Sequence, residues 1–94
     1  MNIEEIILEK KGTIVDVRTP REFNAGHVSG SINIPLHELP RRMEELKSLS
    51  QPLVLCCASG NRSAQAHGFL VQQGLECCDG GSWLQVNYFQ SQAV

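Results

Sequence analysis

The sequence predicts a three-layer α/β domain, with a largely parallel sheet of four or five strands and helices on both faces. Three observations predict it. Short β-branched or apolar runs alternate with segments of helical spacing along all 94 residues. Thr13-Ile14-Val15-Asp16-Val17 is near-continuously apolar, as a strand covered on both faces is, and Leu53 to Cys57 is more apolar still. No internal repeat, linker or low-complexity stretch interrupts the alternation, so residues 1–94 are expected to form one domain.

Residues 2 to about 10 place Ile3, Ile6 and Ile7 on one helical face and Glu4, Glu5, Glu9 and Lys10 on the other. Gly12 supplies the left-handed residue that commonly ends a helix. After the strand at 13–17, Thr19-Pro20-Arg21-Glu22 predicts a helix start. Thr19 caps, Pro20 has its φ already set for the first helical position, and Glu22 completes a capping box. Gly26 stops this helix early. Two glycines, Gly26 and Gly30, then bracket a turn, and Ser31 to Ile34 alternate polar and apolar as a brief strand does before Pro35.

Leu39, Met43 and Leu46 lie at helical spacing opposite Arg41, Arg42, Glu44, Glu45 and Lys47, which predicts a surface-packed helix entered through Pro40. Ser50-Gln51-Pro52 is a turn before the strand Leu53 to Cys57. A helix is expected from about Arg62 to Gln73, with Ala66, Phe69 and Leu70 inward and Gly74 as terminator. Leu75 to Cys78 reads as a strand, Asp79-Gly80-Gly81 as a turn, and Ser82 as the start of a last helix facing inward through Trp83, Val86 and Phe89. Residues 90–94 are expected to be a frayed tail.

Composition narrows the function. Hydrophobic residues are 41% and charged residues 19%, a globular balance, and a net charge of −2 gives no reason to expect nucleic acid or an anionic membrane as partner. The longest apolar run, Leu53 to Ala58, is far short of a membrane span. The acidic start Met-Asn-Ile-Glu-Glu does not read as a secretory signal, so a cytoplasmic location is expected. The four cysteines fall as adjacent pairs, Cys56-Cys57 and Cys77-Cys78, without the spacing of zinc knuckles, and all four are read as thiols.

Ligands of parallel sheets bind beyond the C-terminal strand ends. The strand assignments bring Asp16, Cys57 and Asp79 to that edge. The stretch from Cys57 through Ala58, Ser59, Gly60, Asn61, Arg62 and Ser63 carries the chemistry: a sulfur nucleophile at a strand mouth, then a small-residue loop closed by an arginine. Such a loop points backbone N–H groups inward, and the helix behind it adds roughly half a positive charge. Both lower a cysteine pKa and hold an anion against a thiolate. The alternative is an inert buried cysteine, the commoner fate of a free one.

Several segments together resemble one family. They are Asp16-Val17-Arg18, Glu22-Phe23, the run Gly26-His27-Val28-Ser29-Gly30-Ser31-Ile32-Asn33-Ile34-Pro35, the Cys57 to Ser63 loop, and Gly80-Gly81 with Trp83. In this order they are similar to the single-domain rhodaneses, the thiosulfate sulfurtransferase family. The resemblance implies that Cys57 takes a sulfane sulfur from a donor, becomes a persulfide and passes the sulfur to an acceptor. It implies that N–H groups from Ala58 to Ser63 cradle the persulfide and that no metal or organic cofactor is needed. The donor would be a small sulfur-containing anion such as thiosulfate, or a persulfide. The acceptor would be cyanide or a thiol, a thioredoxin-like protein among the candidates. Rhodanese domains often carry a further short strand before the first helix, and without it this sheet is reduced by one.

Loop length separates two chemistries on this fold. Dual-specificity phosphatases space Cys and Arg by five residues, whereas four separate Cys57 from Arg62, a ring suited to one sulfur atom rather than a phosphate. A phosphatase, an arsenate reductase and a non-catalytic interaction module are the rival readings. Arg62 is assigned to charge on the donor or on the terminal persulfide sulfur. Gly60 is expected at positive φ, and Ser63 as a cap of the following helix. Asp16 and Arg18 read as pocket support, through an ion pair or hydrogen bonds to the loop. His27 reads as structural, and His37 and His67 as surface residues. Cys56 should face away from Cys57. Cys77 or Cys78 is a candidate to resolve an oxidised Cys57, against the plainer reading of ordinary strand residues.

Overall fold

The computed structural model describes residues 2–92. Helix α1 (Ile3–Leu8) is capped by Asn2, whose side chain accepts the Glu5 N–H at 2.8 Å, and it buries Ile6 and Ile7. Strand β1 (Thr13–Asp16) leads to α2 (Pro20–Ala25), where both halves of the Thr19–Glu22 capping box are made. The two-residue strand β2 (Ile32–Asn33) follows, and then a 3₁₀ segment (Leu36–Arg42) that runs into α3 (Met43–Ser48). A single α-helix entered at Pro40 was expected here. Pro40 lies inside the 3₁₀ segment instead, and the α-helix begins only beyond it. A proline inside an α-helix would clash with the preceding turn and leave one bond unmade, which 3₁₀ geometry tolerates better over a short run.

Strand β3 (Leu53–Cys57) is buried along its whole length. Helix α4 (Asn61–Gln72) follows, then β4 (Cys77–Ser82) and α5 (Trp83–Ser91), which Ser82 caps by accepting the Leu84 N–H at 3.2 Å. Two sequence expectations change here. Asp79-Gly80-Gly81 is not a turn but the middle of β4, paired with β3 through a bulge beside Leu55 and Cys56. The expected frayed tail is helical to Ser91, and Gln90 donates from its side chain to the Ser29 carbonyl at 2.8 Å. The last two residues of that expected tail lie outside the described residues.

The four strands form one parallel sheet in the order β2-β1-β3-β4. Its faces bury separate cores. Val15, Val17, Leu53, Leu55 and Cys57 pack with Leu39, Leu46, Ala66 and Leu70 of the 3₁₀ segment, α3 and α4. Val54 and Cys56 pack with Ile6, Ile7 and Val86 of α1 and α5. Three layers result, as the alternating pattern predicts, with Cys56 and Cys57 on opposite faces. The order also makes β1 and β3 the strands from which the chain winds off in opposite directions. Their C-terminal ends are therefore the crevice where ligands of such sheets bind.

Candidate active site

Three elements meet at that crevice. Cys57 ends β3, fully buried. Gly60 turns the chain with φ +100°, a left-handed conformation in which an L side chain is strained, and Asn61 opens α4 directly behind it. The turn leaves the sulfur facing the first turn of a twelve-residue helix. The Gly60 N–H donates to Cys57 Sγ at 2.9 Å and the Ser63 N–H at 3.4 Å. The Ser63 hydroxyl lies 3.6 Å from Sγ and donates to the Gly60 carbonyl at 3.1 Å. Ser63 is therefore not the cap expected of it. It sits in the third helical position, between the sulfur and the loop.

Burial pushes the Cys57 thiol up. The Ser63 hydroxyl and the N–H groups of Ser63, Gly60 and Arg62 outweigh that, and its pKa lies below the ordinary thiol value. The other cysteines go the opposite way. Burial, helped by the charge of Asp16, pushes Cys56 up to about 12, and burial also raises Cys77 and Cys78. Among four thiols one alone is tuned toward the thiolate.

The arginine that closes the loop is engaged. Arg62 donates through both terminal nitrogens to the Glu22 carboxylate of α2, at 2.6 and 2.9 Å. Its guanidinium was expected to face the bound donor, and in the structure it faces Glu22. Arg62 and the Thr19 N–H hold the Glu22 carboxyl down at about 2. This pairing across 40 residues escaped sequence reasoning, which saw Glu22 as half of a capping box. Its only signal was that a second carboxylate acceptor remains after the box is made. Ala58, Ser59 and Asn61 are exposed and form the uncharged rim.

Asp16 and Arg18 form a buried ion pair at the end of β1. Arg18 donates to both Asp16 oxygens, with the shortest contact at 2.7 Å, and to the Gly26 carbonyl at 2.7 Å. Its guanidinium lies 4.6 Å from the ring centre of Trp83. Trp83 thus packs in the core and also under Arg18. Asp79 is absent from this end. It pairs with Leu55 in mid-strand, and its carboxylate accepts the Gly81 N–H at 3.0 Å. Gly81, rather than Asp79, approaches the loop: a Cβ on Gly60 would lie 3.6 Å from its Cα. His27 donates from Nδ1–H to the Phe23 carbonyl at 2.8 Å and stacks on the Phe23 ring, with ring centres 3.7 Å apart.

Register disposes of the resolving thiols. Cys77 pairs with Leu53 and Cys78 with Val54, at the far end of the sheet from Cys57. At about 3.3 Å per residue, three or four residues along β3 amount to roughly 10 Å or more. A disulfide needs Cα atoms within about 7 Å. Neither Cys77 nor Cys78 reaches Cys57 in this fold. Among the described residues no cluster of side chains is arranged to hold a metal ion, and no helix is long and apolar enough to cross a membrane.

A parallel sheet, a thiol at its C-terminal edge and a helix-backed loop of this length agree with a family model, that of the rhodanese-like domain, which matches residues 3–82. The chain belongs to the rhodanese-like domain family. It is 41% identical over 61 residues to a protein of Allochromatium vinosum named sulfurtransferase, covering 65% of this chain and 56% of that protein. Against thiosulfate sulfurtransferase GlpE of Pseudomonas aeruginosa it is 37% identical over 76 residues, 78% of this chain and 68% of the relative. The chain spans about half to two thirds of the length of such curated relatives. Among solved structures, a rhodanese-related protein of Thermoplasma volcanium superposes with a TM-score of 0.78 at 34% identity, over 100% of this chain and 93% of the other. A rhodanese from E. coli solved with anions gives 0.70 at 29% identity, over 78% of this chain and 88% of that one. The rhodanese fold here has four strands among the described residues, the lower of the two expected numbers.

Proposed function

We propose that this rhodanese-like domain is a sulfurtransferase that works by double displacement through a persulfide on Cys57. The convergence of the Gly60, Arg62 and Ser63 N–H groups on Cys57 Sγ carries the reading. A site that lowers one thiol pKa against its own burial stabilises an anion on that sulfur, and a nucleophilic cysteine needs that anion. No separate base is required.

In the first half-reaction the Cys57 thiolate attacks the outer sulfur of a donor. A bond forms from Sγ to that sulfur, the donor's bond to it breaks, and the remainder of the donor leaves with the electron pair. In the second, a thiol or cyanide attacks the terminal sulfur and Cys57 leaves as the thiolate that the loop already holds. Ala58, Ser59 and Asn61 supply the exposed rim of the loop, whose N–H groups would cradle the outer sulfur. Asp16 and Arg18 hold the end of β1 beneath this loop. The four-residue spacing from Cys57 to Arg62 suits a sulfur atom better than a phosphate. The activity resides in this one rhodanese-like domain, and it acts in the cytoplasm.

Mass spectrometry tests the reading. After incubation with thiosulfate or an organic persulfide, the protein gains about 32 Da, one persulfide sulfur, and loses it to cyanide as thiocyanate. No gain with any donor, or an equal gain on Cys57→Ala, overturns the mechanism. Hydrolysis of p-nitrophenyl phosphate without thiocyanate formation would assign the site to phosphate chemistry instead.

A further inference from the structure

Both arginines at the site are spent on carboxylates. Arg18 is engaged by Asp16, the Gly26 carbonyl and the Trp83 ring, and its side chain is 5% exposed. Arg62 gives both terminal nitrogens to Glu22. The remaining loop residues, Ala58, Ser59, Gly60, Asn61 and Ser63, are uncharged. Arg21, next to Glu22 on α2, is exposed and lies outside the loop. The thiolate is therefore stabilised chiefly by N–H dipoles, and among the loop residues the one cation, Arg62, already has a countercharge.

From this we infer that Glu22 is a specificity-determining positioning residue: by neutralising Arg62 it tunes the loop to take sulfur from an organic persulfide rather than from a small dianion such as thiosulfate. The inference rests on the sulfurtransferase reading above. Charge accounts for the preference. With a protonated persulfide, Cys57–S⁻ and R–S–SH give Cys57–S–SH and R–S⁻, so a single negative charge passes through the site. With thiosulfate, Cys57–S⁻ and S–SO₃²⁻ give Cys57–S–S⁻ and SO₃²⁻, and three negative charges gather around one sulfur. Two unit charges of the same sign repel strongly at contact in a partly buried site, and an unpaired cation beside the sulfur would offset that beyond what the N–H dipoles supply. Glu22 removes the cation that the loop would otherwise offer. It also keeps that cation in place, because its capping box with Thr19 fixes the carboxylate at the start of α2.

The test is the ratio of kcat/KM for thiosulfate to that for cysteine persulfide. Glu22→Gln keeps the capping box, which Gln completes as well as Glu does, and frees the charge of Arg62. The ratio is expected to rise about tenfold, mainly through a lower KM for thiosulfate. In the double variant Glu22→Gln/Arg62→Gln, where the pair is again neutral, the ratio should return to near the wild-type value. A ratio that fails to rise in Glu22→Gln, or that stays raised in the double variant, overturns the inference. A second measurement needs no variant. The wild-type rate of sulfur loading from thiosulfate should be flat or increase with ionic strength, and a steep fall with added salt would reveal a recruiting cation and sink the idea. Loading from neither donor would instead refute the sulfurtransferase reading itself.

Discussion

Replacing Asp16 by Ala is the most severe test of how the site is supported. Asp16 is fully buried and Arg18 nearly so, and the pair is almost wholly shielded from water. Two unit charges about 4 Å apart at an effective dielectric of 20 attract by about 4 kcal/mol. Removing the carboxylate leaves the guanidinium with the Gly26 carbonyl and the Trp83 face as its partners. Breaking a buried pair in this way costs about 3–5 kcal/mol. For a small domain, whose whole stability is about 5–15 kcal/mol, that is a large share. In urea, with a slope near the low end of about 1–3 kcal/mol per molar, the midpoint should fall by about 2–4 M. The partner variant Arg18→Met keeps an unbranched side chain against Trp83 and removes the charge. The double variant Asp16→Ala/Arg18→Met should then be more stable than Asp16→Ala alone, because no unpaired charge stays buried. Equilibrium urea unfolding of the four proteins gives the coupling directly. A loss below about 1 kcal/mol for Asp16→Ala, or additivity within about 0.5 kcal/mol, would show that the pair behaves like a surface ion pair.

Three further outcomes follow from the site. Ser63→Ala removes the hydroxyl beside Cys57 Sγ, and the first thiolate to appear in an ultraviolet pH titration should appear at higher pH than in the wild type; an unchanged midpoint would leave the sulfur to the backbone alone. Gly80→Ala sets a Cβ 2.9 Å from the Leu55 carbonyl oxygen and 2.9 Å from Val86 Cγ2, so it should cost about 1–3 kcal/mol in thermal or urea unfolding. Glu22 has its carboxyl lowered from 4.5 to about 2, so its contribution to stability is complete above its unfolded value and is lost as pH falls from about 4.5 toward about 2. The stability difference between wild type and Glu22→Gln should shrink through that window, and because the pair is partly exposed it should stay at or below about 1 kcal/mol throughout.

The features that are local in sequence were the ones legible in it. The β-branched run at 13–17, the apolar run into Cys57, the Thr19 capping box and the positive φ of Gly60 each follow from neighbours within a few residues, and the structure contains all four. β4 was legible only in its first two residues, Cys77 and Cys78, because the expected strand ran from Leu75 to Cys78. Glycine is weak in strands, so Gly80-Gly81 read as a turn. The pairing with β3 carries the strand through both glycines, because the strand is held by a neighbour rather than by its own propensity. The 3₁₀ stretch was masked by residues at helical spacing on either side of Pro40. Long-range pairing was invisible altogether. Nothing in the spacing of Glu22 and Arg62 joins them, and the register that parts Cys77 and Cys78 from Cys57 exists only once the strands are aligned.

The bulge in β4 explains why the site needs two adjacent glycines away from the sulfur. One extra residue lies between the Leu55–Asp79 and Cys56–Gly81 pairs, and it is Gly80. The space its side chain would fill is taken by the Leu55 carbonyl, Val86 and Val54. Gly81 then turns with φ +77° and sets Ser82 beside Cys57, so that α5 starts at the level of the Cys57–Ser63 loop. Paired without the bulge, Gly80 would oppose Cys56 and Gly81 would oppose Cys57, so Ser82 would lie one position beyond Cys57 and the side chains of α5 would meet the sheet out of phase. Trp83, the first residue of α5, is the ring beneath Arg18, and Arg18 holds Asp16 at the end of β1. The bulge therefore connects the two sides of the crevice. On one side Gly81 backs the turn at Gly60 that aims N–H groups at the sulfur. On the other, α5 carries the aromatic face that lets a buried guanidinium brace β1. A substitution at Gly80 that only loosened β4 would leave the Cys57 thiolate unaffected. One that also displaces α5 must move Trp83, and the thiolate titration of Gly80→Ala distinguishes the two.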